Sequence, residues 1–365
     1  DRAADLRAVH AQLVGAAGAR PERQQGGALA GMIARARVEL AYLNLFRAPE
    51  GGAEELLALA AEAIPVLEQA EDNRGLGAVW DILAHIQGGF RCRYRESAEA
   101  AERALEYFAR AEWPLTPCLQ ELAAGLYFGP APVEDGIGRC SVLLEHADRG
   151  GAAHVCLFQA GLEAMAGRFA SARSLASRAR AAYEELDWID KAWENHAPIA
   201  AEIELLAGNS AAAERLLEES CRRLESWGEQ ARLATQGAQL GEALYRQGKF
   251  EQAAGWAAVA EASAASYDAS AQFSWRALRA KDLARKGAFD DAEALAWEAV
   301  EIAAATDAVT QRAHVLLDAA KVVALSGRGE AAVSVAHEAV QLLEEKGNVA
   351  ALGPARSLVA ELTGG

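Results

Sequence analysis

The chain has 365 residues, 52% of them hydrophobic but only 7% aromatic, and a formal net charge of −16. That length suits two ordinary domains or one long repeat array. Acids interspersed along the whole chain exclude a phosphate-tracking surface, which needs clustered Lys and Arg, so direct nucleic-acid binding is not expected.

Ala, Leu, Glu and Arg dominate, the composition of a helical protein. No β-branched run of strand length interrupts them, apart from pairs such as Val322-Val323. The five cysteines, Cys92, Cys118, Cys140, Cys156 and Cys221, form no CxxC pair. They read as small buried hydrophobes in a reducing compartment, which places the chain in the cytoplasm. No uncharged apolar run reaches the ~18 residues of a membrane span. The start at Asp1, without a signal peptide, suggests a piece of a longer polypeptide.

In chain order, a lone helix is expected near 2–18, then a helix pair over 28–46 and 53–70 joined through Pro49 and Gly51-Gly52. The stretch "RCRYRESAEAAERALEYF" carries the next turn, with Tyr94, Ser97, Ala101 and Ala104 at helical spacing; Arg91, Arg93 and Arg95 there read as a solvated turn. "PCLQELAAGLYFGPAPVEDGIGRCSVLLEHA" reads as a degenerate pair whose turn is remade by Pro130 and Pro132. Pro65 and Pro198 fall in helical patterns and should kink or begin helices.

From residue 152 the pattern becomes regular. Glycines at 167, 208, 248, 287 and 327 are spaced by 41, 40, 39 and 40 residues. Five residues after each stands an alanine: Ala172, Ala213, Ala253, Ala292, Ala332. Seven further on comes another small residue, Ala179, Ser220, Ala260, Ala299 or Ala339. Seven before each glycine lies a third small column: Ala160, Ala201, Gly241, Ala280, Ala320. Each unit is therefore a helix, a glycine turn and a second helix, with the small columns where the two helices cross. Leu175, Leu216, Trp256, Leu295 and Val335 are left to fill the space between units. The expected fold is all-α, a right-handed α-solenoid of about eight antiparallel helix pairs. It is read as one unit over 1–365, with degenerate repeats over 28–147, regular ones over 152–346 and a C-terminal cap over 349–361.

A Gly-x-aromatic turn with Ala three residues later, as in "KGAFDDAEALAWEA", resembles the tetratricopeptide (TPR) repeat. The departures are a period near 40 rather than about 34 and the loss of an early first-helix aromatic, replaced by Cys156, Ala197, Gly237, Arg276 and Leu316. "ARVELAYLNLFRAPEGGAEELLALAAEAIPVLEQAED" and "GPAPVEDGIGRCSVLLEHA" are similar to the C-terminal helical region of large bacterial multidomain signalling proteins. In those, an ATPase module, sometimes with a nucleotide-cyclase or DNA-binding domain, precedes such repeats. The resemblance implies a sensor or scaffold arm, with the chemistry on other domains.

The residues themselves carry no catalytic signature. No phosphate loop and no GxSxG elbow occurs, and "GIGRCS" at 136–141 follows a proline turn rather than a strand. His146 and His154 flank Gly150-Gly151 and belong to different helices, so a buried or surface histidine is preferred to a metal ligand. The carboxylate pairs Glu184-Glu185 and Glu344-Glu345 are adjacent residues pointing apart on a helix. No enzyme, metal or cofactor is expected. Trp188, Trp193, Phe273 and Trp275 read as core fillers.

What remains is the concave face, which first helices line in a solenoid. The glycine register puts Asn195 and His314 in one column of that face, Glu202, Glu242, Lys281 and Lys321 in a second, and Arg246 and Arg285 in a third. The leading expectation is a non-catalytic protein-interaction scaffold or regulatory arm of a bacterial signalling protein. Its concave face would bind a protein or peptide, the N-terminal domains of its own polypeptide, or a second copy of the chain. The alternative is a small-molecule inducer-sensing domain of an ATPase-type transcriptional regulator or cyclase. Large apolar patches with aromatic anchors favour the former, and a polar, enclosed groove with convergent Arg, Glu and Asn the latter.

Overall fold

Gly167, Gly208, Gly248, Gly287 and Gly327 all take φ between +76° and +83°. At each, the glycine N–H and the one after it return to the last carbonyls of the first helix, as in Arg168 N to Glu163 O at 2.8 Å. A Cβ is strained in this left-handed closure, which is why glycine recurs there.

The computed structural model describes residues 22–46 and 52–364, and the helix expected near 2–18 lies outside them. The pairs are α1 (Glu22–Leu45) with α2 (Ala53–Gln69), α3 (Asn73–His85) with α4 (Tyr94–Arg110), α5 (Thr116–Phe128) with α6 (Val133–Glu145), and α7 (Arg149–Met165) with α8 (Phe169–Glu185). Then come the short α9 (Ile189–Lys191) leading into α10 (Ala197–Leu206), paired with α11 (Ser210–Trp227), and α12 (Gln230–Arg246) with α13 (Phe250–Ser263). The last are α14 (Ala269–Arg285) with α15 (Phe289–Ala304), α16 (Val309–Leu325) with α17 (Gly329–Lys346), and the terminal α18 (Val349–Leu362). This is an all-α solenoid of helix pairs. All three small columns are buried, and the larger Leu175, Leu216, Trp256, Leu295 and Val335 are half-buried between neighbouring units. The five cysteines are buried and free. Helix α2 continues across Pro65, while Pro198 sits in the first turn of α10, where a missing N–H costs nothing.

The 41-residue spacing has a visible cause. Residues Ala192–His196, ahead of α10, form a π turn, the signature of one extra residue in a helix. The carbonyls it frees are taken up by side chains of α11 and α12. Gln236 Nε2 donates to Trp193 O at 3.1 Å and Glu194 O at 3.2 Å, and the Ser220 hydroxyl lies 2.8 Å from Trp193 O. Outside, the Trp193 ring is flanked by the guanidinium groups of Arg180 and Arg223, 5.1 and 4.5 Å from its centroid.

The solenoid winds back on itself, and helix ends make the closure. At the C-terminus of α1, Phe46 O accepts from Gln230 N at 3.0 Å and Leu45 O from the Tyr267 hydroxyl at 3.2 Å. Phe46, Phe90 and Tyr267 pack in a row there, with centroids 5.6 and 5.5 Å apart. The N-terminus of α4 has no side-chain cap of its own. Asp307, from the α15–α16 loop, supplies one: its carboxylate accepts from Tyr94 N at 2.6 Å and Arg95 N at 3.0 Å. The C-terminal turn of α5 is held by the buried Lys346, whose ammonium donates to Leu126 O, Gly129 O and Ala131 O at 2.7–2.9 Å. Each contact satisfies backbone groups that a helix end leaves open.

Candidate functional site

Closure leaves a central cavity of about 340 Å³ on the concave side. Its wall is built from one stripe of each first helix. Helix α16 contributes Thr310, Gln311, His314, Asp318 and Lys321; α12 contributes Thr235, Gln239, Glu242 and Arg246; α14 contributes Ser274, Phe273 and Leu278; α10 contributes Ile199 and Glu202. These recur at three- and four-residue steps, the spacing that keeps side chains on one helix face. The second and third pairs supply the opposite side, with Tyr94, Tyr127 and Phe128, where Tyr94 and Phe128 stack at 5.3 Å.

The cavity has two characters. One region is apolar, formed by Tyr94, Phe128, Met165, Ile199, Phe273 and Leu278. The other is a charge ladder running across three helices. Arg246 Nε donates to Glu242 at 2.7 Å, and Glu242 also bonds Lys281. Lys281 in turn lies 2.7 Å from Asp318, which Lys321 contacts at 3.1 Å. Burial alone would raise the Glu242 carboxyl, but Lys281, Arg246 and Lys321 hold it well below the ordinary carboxylate range. Burial likewise works against the Lys281 ammonium, yet Asp318 and Glu242 keep its pKa above that of an ordinary lysine. Glu242 and Lys281 therefore hold each other in their charged forms. His314, beside it, is pushed down by burial against the pull of Glu202 and stands as a neutral imidazole.

Of the eight concave-face candidates, Glu202, Glu242, Arg246, His314 and Lys321 are brought together on the cavity wall. Three are placed otherwise. Lys281 is only 2% exposed, because its position on α14 lies between Glu242 of α12 and Asp318 of α16, which enclose its ammonium. Arg285 is exposed and stacks on the Phe250 ring, 3.5 Å from its centroid, because it falls past the end of the lined stripe. Asn195 lies within the π turn, where one inserted residue rotates the side chains ahead of it by about a quarter-turn. The register missed a column nine residues before each glycine, which holds Ile199, Gln239, Leu278 and Asp318. Asp318 was detectable as the residue between His314 and Lys321 on the same face of α16. Tyr94, Tyr127 and Phe128 carried no such signal, since they arrive from distant pairs.

His154 is buried with Nδ1 2.8 Å from the Tyr183 hydroxyl, and His146 caps the end of α6. Trp188 and Trp193 are half-buried and Trp275 is buried, while Phe273 also faces the cavity. Among the described residues, no group of three or more His, Cys, Asp or Glu side chains is placed to hold a metal ion, and no helix is long and apolar enough to cross a membrane.

No protein-family model matches the chain, and no curated protein matches it. Among solved structures it is similar to yeast Tom70, at 14% identity and a TM-score of 0.46 over 92% of this chain and 64% of that one. The chain thus spans less than two thirds of that protein's length. It is also similar to a Rap protein complexed with competence and sporulation factor, at 15% identity and a TM-score of 0.47, over 90% and 99% of the two chains. The P58(IPK) TPR domain follows at 12% identity and a TM-score of 0.26, covering 99% of each. The helix pairs make this chain an all-α helical-repeat solenoid.

Proposed function

We propose that this chain is a non-catalytic regulatory arm whose central cavity receives a small amphipathic ligand. The observation that carries this reading is the concave cavity itself. Tyr94 of the second pair and Tyr127 and Phe128 of the third form a partial roof over the first-helix wall, leaving a partly open cavity of about 340 Å³. That falls within the range of small-molecule sites, which are concave, largely apolar and marked by a few placed polar groups. Tyr94, Phe128 and Phe273 supply the apolar part, and the Arg246–Glu242–Lys281–Asp318–Lys321 ladder the polar part. A ligand touching both the roof and the first-helix wall favours the closed form, so its binding becomes a change in the arm's conformational balance. The resemblance of residues 36–72 and 129–147 to the repeat arms of bacterial signalling proteins supports a place behind an ATPase or output module.

The test is a thermal-shift screen of the full chain against nucleotides, oligosaccharides, amino acids and short peptides, with every hit repeated on Ala277→Trp. Ala277 is buried on the cavity wall, and a tryptophan there fills it. A ligand at 100 times its Kd stabilises by about 2.7 kcal/mol, so wild type should shift by a few degrees and the variant should not. Hits that persist in Ala277→Trp, or a screen with none, would overturn the reading.

A further inference from the structure

The charges on the cavity wall are unevenly partnered, and the imbalance identifies a head group. In the ladder, Glu242 and Asp318 each serve two cations, with the buried Lys281 shared between them. The two end cations, Arg246 and Lys321, each hold a single carboxylate and are 40% and 44% exposed. Beside Arg246, on the neighbouring α10, Glu202 has no ion-pair partner among the described residues. Its carboxylate accepts only from Gln239 Nε2, at 3.4 Å, and that amide is steadied by a 3.0 Å bond to Pro198 O. Arg246 spans towards the same helix, with Nη1 3.3 Å from Leu205 O, one turn beyond Glu202. Counted together, Glu202, Glu242 and Asp318 balance Arg246, Lys281 and Lys321.

A ligand of one charge would unbalance such a wall. An anion would satisfy Arg246 and Lys321 but leave Glu202 facing it unpaired; a cation would do the reverse. A group carrying both charges a few bonds apart meets both needs, and desolvating it is offset at each end. Next to this wall lie Tyr94, Phe128 and Phe273, and the lined stripe of α16 from Thr310 to Lys321 runs about 16 Å along the helix.

We infer that the cavity recognises an amino-acid zwitterion with an apolar side chain, a free amino acid or a dipeptide, with its ammonium on Glu202, its carboxylate between Arg246 and Lys321, and its side chain against the Tyr94–Phe128–Phe273 wall. This rests on the cavity being a ligand site and adds the chemistry of the ligand. The two free termini set an upper length, because a longer peptide would carry them too far apart to meet both Glu202 and Arg246.

The experiment is calorimetric titration of the full chain with L-phenylalanine and leucyl-phenylalanine. Each is compared with its N-acetyl form, which lacks the ammonium, and its C-terminal amide, which lacks the carboxylate. At least one zwitterion should bind ten-fold or more tighter than both of its capped forms. In Glu202→Gln the ratio of zwitterion to N-acetyl affinity should fall towards one, and in Arg246→Gln the ratio to the amide should do so. Melting curves of both variants identify any that fail to fold; Glu202→Asp, which keeps the charge, should restore part of the first ratio. Capped forms binding as tightly as the zwitterion, ratios untouched by the substitutions, or no binding of either zwitterion would overturn the inference. In that last case, a ligand of another class that binds wild type but not Ala277→Trp would leave the cavity reading standing.

Discussion

His154 shows what a polar residue becomes when a first helix is surrounded by its neighbours. It is 3% exposed, bonded to the Tyr183 hydroxyl and packed beside Trp188. Burial, with help from the Lys191 charge, lowers its pKa to about 3. The unfolded chain, with an ordinary histidine near 6.5, binds the proton across the interval where the folded chain does not. Stability from this group is therefore complete above about pH 6.5 and is lost as pH falls towards 3, at ~1.4 kcal/mol for each unit of difference in pKa. His196, lowered to about 4 by burial and Arg180, adds a second slope of the same sign. Denaturant midpoints measured from pH 7 to pH 4 should fall steeply for wild type and less steeply for His154→Gln. Parallel curves would mean that His154 takes up its proton without unfolding.

At the scale of one helix pair, the small columns let two backbones approach closely. Ala292 and Ala299 of α15 are fully buried, as is Ala280 of α14. A larger side chain there has no void to enter, so Ala292→Leu should overpack the crossing at a cost of about 1–3 kcal/mol, read as a lower melting temperature. An unchanged melting temperature would place Ala292 off the crossing. The same scale shows why the early pairs are harder to recognise. In the second pair the left-handed turn residue is Cys92, at φ +53°, and in the third the turn is an extended Gly129 followed by Pro130 and Pro132. Either solution reverses the chain, but neither leaves a left-handed glycine to align on.

Across the whole molecule, the closing contacts are helix-end caps delivered from more than 180 residues away. Asp307 is the clearest, since α4 lacks a side-chain cap of its own and takes both carboxylate oxygens of Asp307 on Tyr94 N and Arg95 N. Removing such a cap costs about 0.5–2 kcal/mol. Asp307→Ala should therefore speed amide hydrogen exchange at Tyr94 and Arg95, with a smaller effect on exchange within α15 and α16. Unaltered protection at those two amides would show that the first pairs are held in place by other contacts. Lys346 makes the corresponding contact at α5, where burial brings its pKa down to about 7 while three carbonyls surround its ammonium.

Periodic burial was legible in the sequence by itself. Because Gly167 through Gly327 must adopt a left-handed turn and the alanine columns must sit at a helix crossing, residue type and spacing alone specified helix pairs, their register and which helix faces inward. The same logic brought Glu202, Glu242, Arg246, His314 and Lys321 to one surface, since residues at a common place in successive repeats share a face. It failed where a local event broke the period, as the π turn did for Asn195, and where a position's neighbours belonged to other helices, as Glu242 and Asp318 do for Lys281. Closure was decided only in the tertiary structure. It depends on helix ends such as those of α1, α4 and α5 meeting Gln230, Asp307 and Lys346, and these contacts follow from small rotations accumulated over successive pairs. No single repeat encodes that sum, so whether the concave face is a groove or a cavity became visible only when the whole superhelix was in place.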